Sequence, residues 1–489
     1  MSMKKVLLIS ALLLSSATCI AQRDYKTEYE NFKQQAKDKY SDFRDKCNHE
    51  YAEFIRITWE TFNSNDPIPQ PEEIPAPPIP RIETIPTIIN PIQVPIDTVI
   101  QNPTPLVTPQ PLPVTPIKET PQPTEEYFSF TFYGTPCKVR LNESHRFTIA
   151  GTDENSISKA WQYCSQPQFN NLIQDCLQLR KVMNLCDFAY LEMLNEMASS
   201  FLGKGTNEAS MLMAYVYCQS GYKMRFATNG DKLCMLYASQ HTIYNQSFFM
   251  IDNEAYYPYR FTSPSCRICK ASFPQEQPLS LVVNKNINFA SQSTAIREIK
   301  SKQYPNIKAN VSVNQNLLNF YETYPASEIG NNFVSKWAMY ANTPASSDVK
   351  NMLYPSLQEA IKGLSALDAV TRILNFVQTG FEYGYDSKIW GYDRAFFADE
   401  TLYYPYSDCE DRSILFSRII RDLLGLKVIL VYYPGHLATA VHFNENVKGD
   451  YISLNGEKFT VCDPTFVGAP VGATMPDFKD SSTTVILLN

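Results

Sequence analysis

A proline-rich tract divides this chain and most limits what it can fold into. The tract runs from Asp66 to Thr124 and holds 18 of the 33 prolines of the 489-residue chain, without a glycine. Proline lacks a main-chain N–H group and fixes its φ angle, so the tract is unsuited to helix interiors and central strands. Its composition favours an extended polyproline II spacer, although binding to proline-recognising domains is an alternative use. We therefore predict a linker over residues 63–125.

Residues 1–21 have the pattern of a secretory signal peptide. Two lysines precede an apolar run from Val6 to Leu14, and the mature chain is expected to begin at Gln22. The sequence thus predicts an exported protein, periplasmic or extracellular, and Cys19 leaves lipoprotein anchoring as an alternative. No later segment has the ~18 consecutive apolar residues that a membrane helix needs, so we expect no transmembrane helix.

Residues 22–62 are predicted to form an amphipathic helix with an 11-residue repeat. The repeat consists of Tyr29 and Phe32, Tyr40 and Phe43, and Tyr51 and Phe54, with Tyr25, Ala36 and Cys47 on the same stripe. An average of ~3.67 residues per turn keeps this stripe on one side of a nearly straight helix. A single helix cannot bury such a stripe alone. We therefore expect either self-association through this helix or docking on the main body.

Charge and cysteine content exclude some functions. The net charge of −7, without a basic stripe, argues against a nucleic-acid partner. Eleven cysteines remain after removal of the signal peptide, and an odd number fits one reactive thiol left free. Cys266 and Cys269 form a single C-x-x-C, whereas zinc would need a second pair. We expect a local disulfide or core cysteines there, and neither a metal nor a cofactor.

The strongest chemical signal is a cysteine, a histidine and an aspartate in that order near the C-terminus. Cys409 stands at the start of an apolar helix that Gly425 should end. A helix N-terminus favours a thiolate and can offer an N–H group to an oxyanion. His436 begins a strand, and Asp463 ends another short strand. A base at a strand end can reach the thiol across a cleft, and the carboxylate can hold the imidazole in one tautomer.

The residues around the cysteine raise an electrostatic question. Ser407 and Glu410 have the S-x-x-E spacing of a capping box, which would fix the turn that presents the sulfur. Asp408, Glu410 and Asp411 crowd the thiol, and their negative charge disfavours a thiolate. We expect these carboxylates to point away as capping groups and Arg412 to neutralise part of their charge.

This arrangement resembles the transglutaminase-like branch of the papain-type cysteine enzymes, in which a cysteine on a helix, a histidine on a strand and a D-P-T aspartate form the site. The stretch D-C-E-D-R-S, which begins at Asp408, is most similar to bacterial exported transglutaminase-like proteins. The resemblance covers roughly residues 364–475. It implies that Cys409 is the nucleophile, that His436 is the general base and acid, and that Asp463 orients the imidazole.

Two neighbouring residues compete for these roles. His442 lies six residues after His436 on the same strand face, so alternation alone does not separate them. The family pattern places the base at the strand start, which favours His436. Cys462 would point to the opposite face from Asp463, and we interpret it as a core residue.

A weaker echo of the same pattern lies in residues 126–278, mainly between Phe188 and Tyr259. The segments that begin at Ser210, Gly221 and Leu233 parallel those that begin at Ser413, Gly425 and Leu437. Thr206 or Gly205 falls at the cysteine position and Lys232 at the histidine position, so neither nucleophile nor base is present. We interpret residues 126–278 as a degenerate copy of the catalytic fold. An unrelated helix followed by two strands is the alternative.

The predicted fold class is α+β. Residues 279–489 should hold a small β element, with strands at Ile307–Val313 and Phe320–Tyr324, followed by the catalytic transglutaminase-like domain. The expected function is thiol acyl transfer on protein or cell-envelope peptide amides, as a peptidase, deamidase or transamidase. A non-catalytic, protein-binding adaptor built on the same fold is the alternative.

Overall fold

The computed structural model describes residues 30–32, 34–35, 38–39, 41–71, 90–101, 109–121, 126–328 and 332–489. The protein is of the mixed α+β class, as predicted. The predicted signal peptide, residues 1–21, lies outside the described residues. Within the described ranges, no helix combines the length and apolar character needed to cross a membrane.

The secondary structure elements follow one another from the N-terminal helix to a C-terminal strand. The helices are α1 (41–55), α2 (Glu154–Cys164), α3 (Asn170–Val182), α4 (Asp187–Leu202), α5 (Asn207–Gln219), α6 (Gln315–Tyr321), α7 (Lys336–Asn342), α8 (Ser347–Ile361), α9 (Ala366–Gly380), α10 (Asp386–Ile389), α11 (Ala398–Tyr403) and α12 (Cys409–Leu424). The strands are β1 (Trp59–Asn63), β2 (Ile96–Ile100), β3 (Phe128–Phe132), β4 (Thr135–Val139), β5 (Met224–Asn229), β6 (Lys232–Ala238), β7 (Thr242–Ile243), β8 (Phe249–Ile251), β9 (Glu254–Pro258), β10 (Ser265–Cys269), β11 (Arg297–Lys300), β12 (Lys308–Val311), β13 (Ser327–Glu328), β14 (Glu382–Tyr383), β15 (Tyr406–Ser407), β16 (Val428–Tyr433), β17 (His436–His442), β18 (Tyr451–Leu454), β19 (Glu457–Cys462) and β20 (Thr483–Leu487).

Two six-stranded sheets organise the molecule, and their strand orders correspond. The first sheet has the order β1-β10-β5-β6-β9-β8, and the second has the order β2-β20-β16-β17-β19-β18. A helix, α5 or α12, precedes the central hairpin of each sheet. Each sheet takes its outer strand from the N-terminal region, since β1 pairs antiparallel with β10 and β2 pairs parallel with β20. We name α5 with the first sheet the first unit, and α12 with the second sheet the second unit.

The pairing registers relate individual residues of the two units. Asn229 pairs with Lys232 across a two-residue turn, as Tyr433 pairs with His436. Lys232 therefore occupies the position of His436. The helices before these hairpins begin at Asn207 and at Cys409, after the capping residues Thr206 and Asp408. Asn207 is therefore the counterpart of Cys409, and the predicted counterparts Thr206 and Gly205 are wrong by one and two positions.

The same comparison identifies the counterpart of the predicted aspartate. In the second unit Cys462 pairs with Thr439, three residues into β17. In the first unit the equivalent strand position is Met235, whose carbonyl accepts from the N–H of Tyr259. The residue after Tyr259 is Arg260, which thus stands where Asp463 stands in the second unit.

The first core continues past the predicted boundary at residue 278. Leu279, Leu281, Val282, Val283, Ile287, Phe289, Leu317, Phe320 and Tyr321 are buried in it. The predicted strand at Ile307–Val313 is present as β12, which pairs with β11. The predicted strand at Phe320–Tyr324 is wrong, because α6 covers Gln315–Tyr321. Asn314 caps this helix by accepting from the N–H of Asn316, and apolar side chains at helical spacing face the core.

Helix α1 packs on the first unit, with a buried face that differs in part from the predicted stripe. Cys47 and Tyr51 are buried as expected, but Phe32 is 69% exposed and Phe43 and Phe54 are each 47% exposed. The other predicted members of the stripe, Tyr25, Tyr29, Ala36 and Tyr40, lie outside the described residues. The guanidinium of Arg44 is buried and donates to Gln219, Asn170 and Tyr215. The helix ends at residue 55 rather than at Phe62, because residues 59–63 pair with β10 and sheet pairing overrides the helical period.

The described parts of the proline-rich tract lie against the body instead of forming a free spacer. β2 joins the second sheet, and Val94 before it is 1% exposed. Gln110 donates to the carbonyl of Leu185, and the N–H of Thr120 donates to Asn171. Isolated non-proline residues supply the hydrogen bonds that the prolines lack, which composition alone does not reveal.

Candidate active site

The structure brings two of the three predicted site residues into direct contact. His436 begins β17, and Asp463 follows β19, the strand paired with β17. His436 Nε2 lies 2.8 Å from Asp463 Oδ2. The two residues are 2% and 3% exposed. A histidine at a hairpin turn and an aspartate at the neighbouring strand end thus form a buried pair, as predicted.

The carboxylate of Asp463 is surrounded by hydrogen-bond donors. Its Oδ1 accepts from the N–H of Thr465 at 2.9 Å, from the Thr465 hydroxyl at 2.7 Å and from the N–H of Phe466 at 3.1 Å. Burial by itself would raise the pKa of Asp463, but the contact with His436 and these donors outweigh it and lower the pKa. The D-P-T motif is therefore a turn that holds a buried carboxylate in its ionised form.

Gln378 fixes the loop that follows Asp463. Its amide nitrogen donates to the carbonyls of Asp463, Phe466 and Ala469 at 3.0–3.1 Å. Its amide oxygen accepts from the N–H of Gly468. This buried side chain on α9 was missed by sequence reasoning, although a polar residue within the apolar face of an amphipathic helix is a usable signal.

Cys409 is the first residue of α12 and is 4% exposed. One turn later, the Ser413 hydroxyl donates to the carbonyl of Leu437 at 2.9 Å, next to His436. The Cys409 thiol donates to Glu410 Oε2 at 3.2 Å. The start of α12 therefore packs against the end of the β16–β17 hairpin at which His436 lies. Gly425, with φ +63°, ends the helix as predicted.

The first unit has the same contact between helix start and hairpin turn. Asn207, the first residue of α5, accepts from the N–H of Leu233 at 2.9 Å and donates to the carbonyl of Asp231 at 3.0 Å. These residues flank Lys232, the counterpart of His436. In this fold, the residue at the helix start therefore lies beside the hairpin position that His436 occupies in the second unit.

The predicted capping box at Ser407 and Glu410 is wrong by one residue. Asp408 precedes the helix, and its N–H donates to the Asp411 carboxylate at 3.3 Å. Asp411 also accepts from the N–H of Phe396 at 2.8 Å. Ser407 belongs to β15, so its main chain pairs with β14 and its hydroxyl accepts from Arg412 instead.

The pKa values of the carboxyl groups around the thiol are raised. Burial, reinforced by repulsion from Glu410, raises the pKa of Asp386 to about 8. The same causes raise the pKa of Asp408 far above its usual range, and burial with repulsion from Asp386 does so for Asp411. Burial and the charge of Asp393 raise the pKa of Glu410. A raised pKa favours the protonated form of a carboxyl group, and protonation would relieve the repulsion on a thiolate that the sequence predicts.

Three of these carboxyl groups are spaced for a cation. Asp386, Asp408 and Glu410 are buried, and one oxygen of each lies within 4.8 Å of the others. Among the described atoms, Asp408 Oδ1 and Glu410 Oε1 have no hydrogen-bond partner. Carboxylate oxygens suit Ca²⁺ or Mg²⁺, and shared protons would neutralise the cluster as well. The sequence indicated no such set, because Asp386 is far from the other two along the chain.

Contrary to the prediction, the guanidinium of Arg412 does not pair with these carboxylates. Its guanidinium donates to Ser407 Oγ, to the carbonyl of Gln378 and to the carbonyl of Phe381. Burial lowers the pKa of Arg412. The side chain therefore joins the start of α12 to the end of α9, which also carries Gln378.

The two competing residues have local structural partners. His442 lies at the far end of β17, where its Nδ1 is 3.0 Å from the carbonyl oxygen of Lys458 and its ring packs on Phe459. Cys462 is fully buried, and burial raises the pKa of its thiol well above the usual range. Both observations agree with the structural roles predicted for them.

The first unit offers no reactive counterpart to the site. Asn207, Lys232 and Arg260 occupy the positions of Cys409, His436 and Asp463. The Arg260 guanidinium forms an ion pair with Glu192. A nucleophile, a base and an orienting carboxylate are therefore all missing from these three positions.

In comparisons with known proteins, no family model, no curated protein and no solved structure matched this chain. Evidence for function therefore comes from the residues and geometry of the site. Of these, the buried pair of His436 and Asp463 bears most directly on chemistry.

Proposed function

We propose that this protein is a thiol acyl-transfer enzyme that acts on protein or peptide amides. Cys409 is the nucleophile, His436 the general base and acid, and Asp463 the group that orients the imidazole. The observation that carries the proposal is the buried contact between His436 and an aspartate held ionised by its surroundings. Such a carboxylate stabilises an imidazolium that forms during the reaction.

The reaction follows from the chemistry of these groups. His436 takes the thiol proton of Cys409, and the sulfur attacks the amide carbonyl carbon to give a tetrahedral intermediate. The C–N bond then breaks, and the imidazolium returns the proton to the leaving ammonia or amine. The resulting thioester is released by water, which gives a peptidase or deamidase, or by a second amine, which gives a transamidase.

Two features of the second unit support the cysteine as nucleophile. Cys409 occupies the N-terminal position of a 16-residue helix, where free N–H groups and the helix dipole stabilise a thiolate and an oxyanion. The bond from Ser413 to the residue after His436 holds this helix end against the hairpin. The resemblance to transglutaminase-like enzymes adds the same assignment of roles and the preference for amide substrates.

The first test is thiol alkylation without a substrate. Cys409 should react with iodoacetamide with a pH midpoint well below the ~8.5 of a free cysteine, as mapped by peptide mass spectrometry. His436→Gln should slow this labelling by about 10- to 100-fold at pH 6.5, where an ordinary thiol is only ~1% ionised. Slow labelling that is insensitive to His436→Gln would overturn the proposal.

The second test separates the possible outcomes of the thioester. The protein is incubated with a dansylated primary amine and a mixture of cell-envelope proteins. Incorporation that Cys409→Ala abolishes identifies a transamidase, whereas new chain termini without incorporation identify a peptidase. Ammonia release without either product identifies a deamidase.

A non-catalytic adaptor is the second candidate function, and one observation favours it. Cys409, His436 and Asp463 are each less than 5% exposed, and the thiol donates to Glu410. An adaptor on the same fold needs no access to the sulfur. Ordinary thiol reactivity of Cys409, together with binding of an exported protein that survives Cys409→Ala, would support the adaptor.

A further inference from the structure

The imidazole of His436 is covered by an aromatic ring that has no role in the proposed function so far. The ring of Phe478 lies parallel to it, with centroids 5.1 Å apart and planes inclined by 2°. Tyr433 packs against Phe478 at the same centroid distance of 5.1 Å. One face of the imidazole is thus closed by a flat apolar surface.

Phe478 lies in a segment, residues 476–482, that is held at both ends and by one buried side chain between them. Before it, the N–H of Thr474 donates to Asp450 at 3.1 Å, and after it Thr483 begins β20. Within the described structure, the main-chain hydrogen bonds of residues 476–482 stay within the segment or reach the residue before it. Phe478 is 6% exposed, whereas its neighbours on both sides are exposed. The buried ring of Phe478, packed on both His436 and Tyr433, therefore attaches this segment to the body between its two ends.

We propose that Phe478 is a positioning residue that fixes the ring plane of His436. Rotation of the imidazole about its Cβ–Cγ bond would drive its edge into the face of the Phe478 ring, so the parallel stack resists that rotation. With the plane fixed, Nε2 stays on Asp463 and Nδ1 stays turned away from it, free to exchange a proton with the thiol. This inference depends on the proposed function and extends it to the residue that orients the base.

The chemistry of a phenylalanine suits this task. Its ring has no hydrogen-bond donor or acceptor, so it does not compete with Asp463 for the imidazole N–H group. It also excludes water from that face, and a hydrogen bond to a buried carboxylate is stronger where water is excluded. A leucine fills a similar volume but lacks the flat face. The proposal therefore predicts that ring shape matters more than apolar volume.

The chain offers a matched control for this contact. Phe459 is 4% exposed and packs on the other histidine of β17, His442, with ring centroids 5.5 Å apart. Phe459→Ala removes a buried ring from the same unit without touching His436. Loss of stability is thereby separated from loss of imidazole orientation.

The test compares Phe478→Ala, Phe478→Leu, Phe478→Trp and Phe459→Ala in the full chain. One readout is the downfield, exchange-protected proton resonance of the imidazole N–H bonded to Asp463, assigned by its absence in His436→Gln. The other is the iodoacetamide rate of Cys409 at pH 6.5. Phe478→Ala and Phe478→Leu should lose the resonance and slow alkylation by about tenfold, a fraction of what a general base contributes. Phe478→Trp and Phe459→Ala should retain both.

The proposal is overturned if Phe478→Leu retains the resonance and the wild-type rate, if Phe459→Ala loses both to the same extent, or if the wild-type protein has no such resonance. Phe478→Leu carries the test if Phe478→Ala does not fold, as judged by circular dichroism. An alkylation rate unchanged in His436→Gln would refute the proposed function, whereas the resonance would still report whether Phe478 orients His436.

Discussion

The two units share a strand order and differ at the positions that we propose to be catalytic in the second unit. In the second unit the helix start, the hairpin and the following strand end carry Cys409, His436 and Asp463; in the first they carry Asn207, Lys232 and Arg260. The amide of Asn207 bonds directly to the hairpin turn, so the helix and hairpin meet without any reactive group. The contact between helix start and hairpin is therefore present in both units, and it does not by itself determine which side chains stand at these positions.

The units also differ in the electrostatics around the helix start. In the second unit, burial raises the pKa values of Asp386, Asp408, Glu410 and Asp411. In the first unit, the helix is capped by the hydroxyl of Thr206, which accepts from the N–H of Ala209. Burying a neutral capping hydroxyl costs little desolvation free energy, whereas burying a cluster of acidic groups costs much more. That cost suggests a use for the cluster beyond stability.

The largest expected effect on activity is that of replacing Cys409 with asparagine, the residue at the equivalent position of the first unit. Cys409→Asn should lower amide-directed activity by ~10³-fold or more, because no sulfur remains to form a thioester. The measurement is thioester trapping by hydroxylamine together with turnover of any substrate found in the envelope mixture. Cys462→Ala is the matched control, and it should keep wild-type activity because Cys462 is fully buried and its thiol donates to the carbonyl of Thr460.

The next effect comes from the base. His436→Lys should reduce turnover by about 10²- to 10⁴-fold, since a lysine that stays protonated at neutral pH cannot accept the thiol proton.

The reciprocal change, Lys232→His, should create no reactivity in an Asn207→Cys background, because Arg260 stands where the orienting carboxylate is needed. Fast alkylation at residue 207 of that double variant would mean that the two units are closer in function than proposed.

A smaller effect concerns stability and pH. Burial raises the pKa of Asp386 to about 8, so between pH ~4 and ~8 the folded protein keeps a proton that the unfolded chain releases. The contribution of this group to stability is therefore present at low pH and is lost as pH rises toward 8. Asp386→Asn should raise the melting temperature at pH 8 by on the order of 2 °C and leave it unchanged at pH 4.

The same melting experiment distinguishes protons from a cation in the acidic cluster. If a cation occupies it, CaCl₂ raises the melting temperature of the wild-type protein at pH 8 but not that of Asp386→Asn. If protons alone neutralise the cluster, CaCl₂ affects both proteins equally. A lower melting temperature of Asp386→Asn at pH 8 would contradict the pKa argument.

The smallest effect is expected in the first unit. Lys232 is exposed, so Lys232→Ala should change the free energy of unfolding by no more than ~0.5 kcal/mol and leave Cys409 alkylation at the wild-type rate. Chemical denaturation and labelling measure both quantities. A slower alkylation of Cys409 in this variant would show that the first unit influences the site of the second.

For the second unit, the sequence predictions were most accurate at short motifs whose conformation depends only on neighbouring residues. Asp463 and Thr465 form a turn by themselves, and Gly425 ends a helix through its left-handed conformation. The predicted capping residue was wrong by one position, because Ser407 lies in β15 and its main chain pairs with β14. Local patterns do not report such tertiary competition.

Other parts of the site could not be predicted, for a common physical reason. Asp386 and Phe478 reach the site through contacts with residues 22 or more positions away along the chain, and no periodic pattern marks them. The proline-rich tract is a similar case, since its few non-proline residues determine where it binds. The repeat in the first helix predicted a buried aromatic stripe, but tertiary packing buries a face rotated from it and leaves Phe32, Phe43 and Phe54 exposed.

The outer strands β1 and β2 have a consequence for handling this protein. Both come from the first hundred residues, and each closes one side of a sheet that would otherwise present unpaired N–H and C=O groups. Bare strand margins invite pairing between chains. A shortened form that begins at residue 126 would lack β1 and β2 and would therefore be expected to aggregate through its uncovered sheet edges. The residues before 126 thus protect both sheets from pairing with other chains.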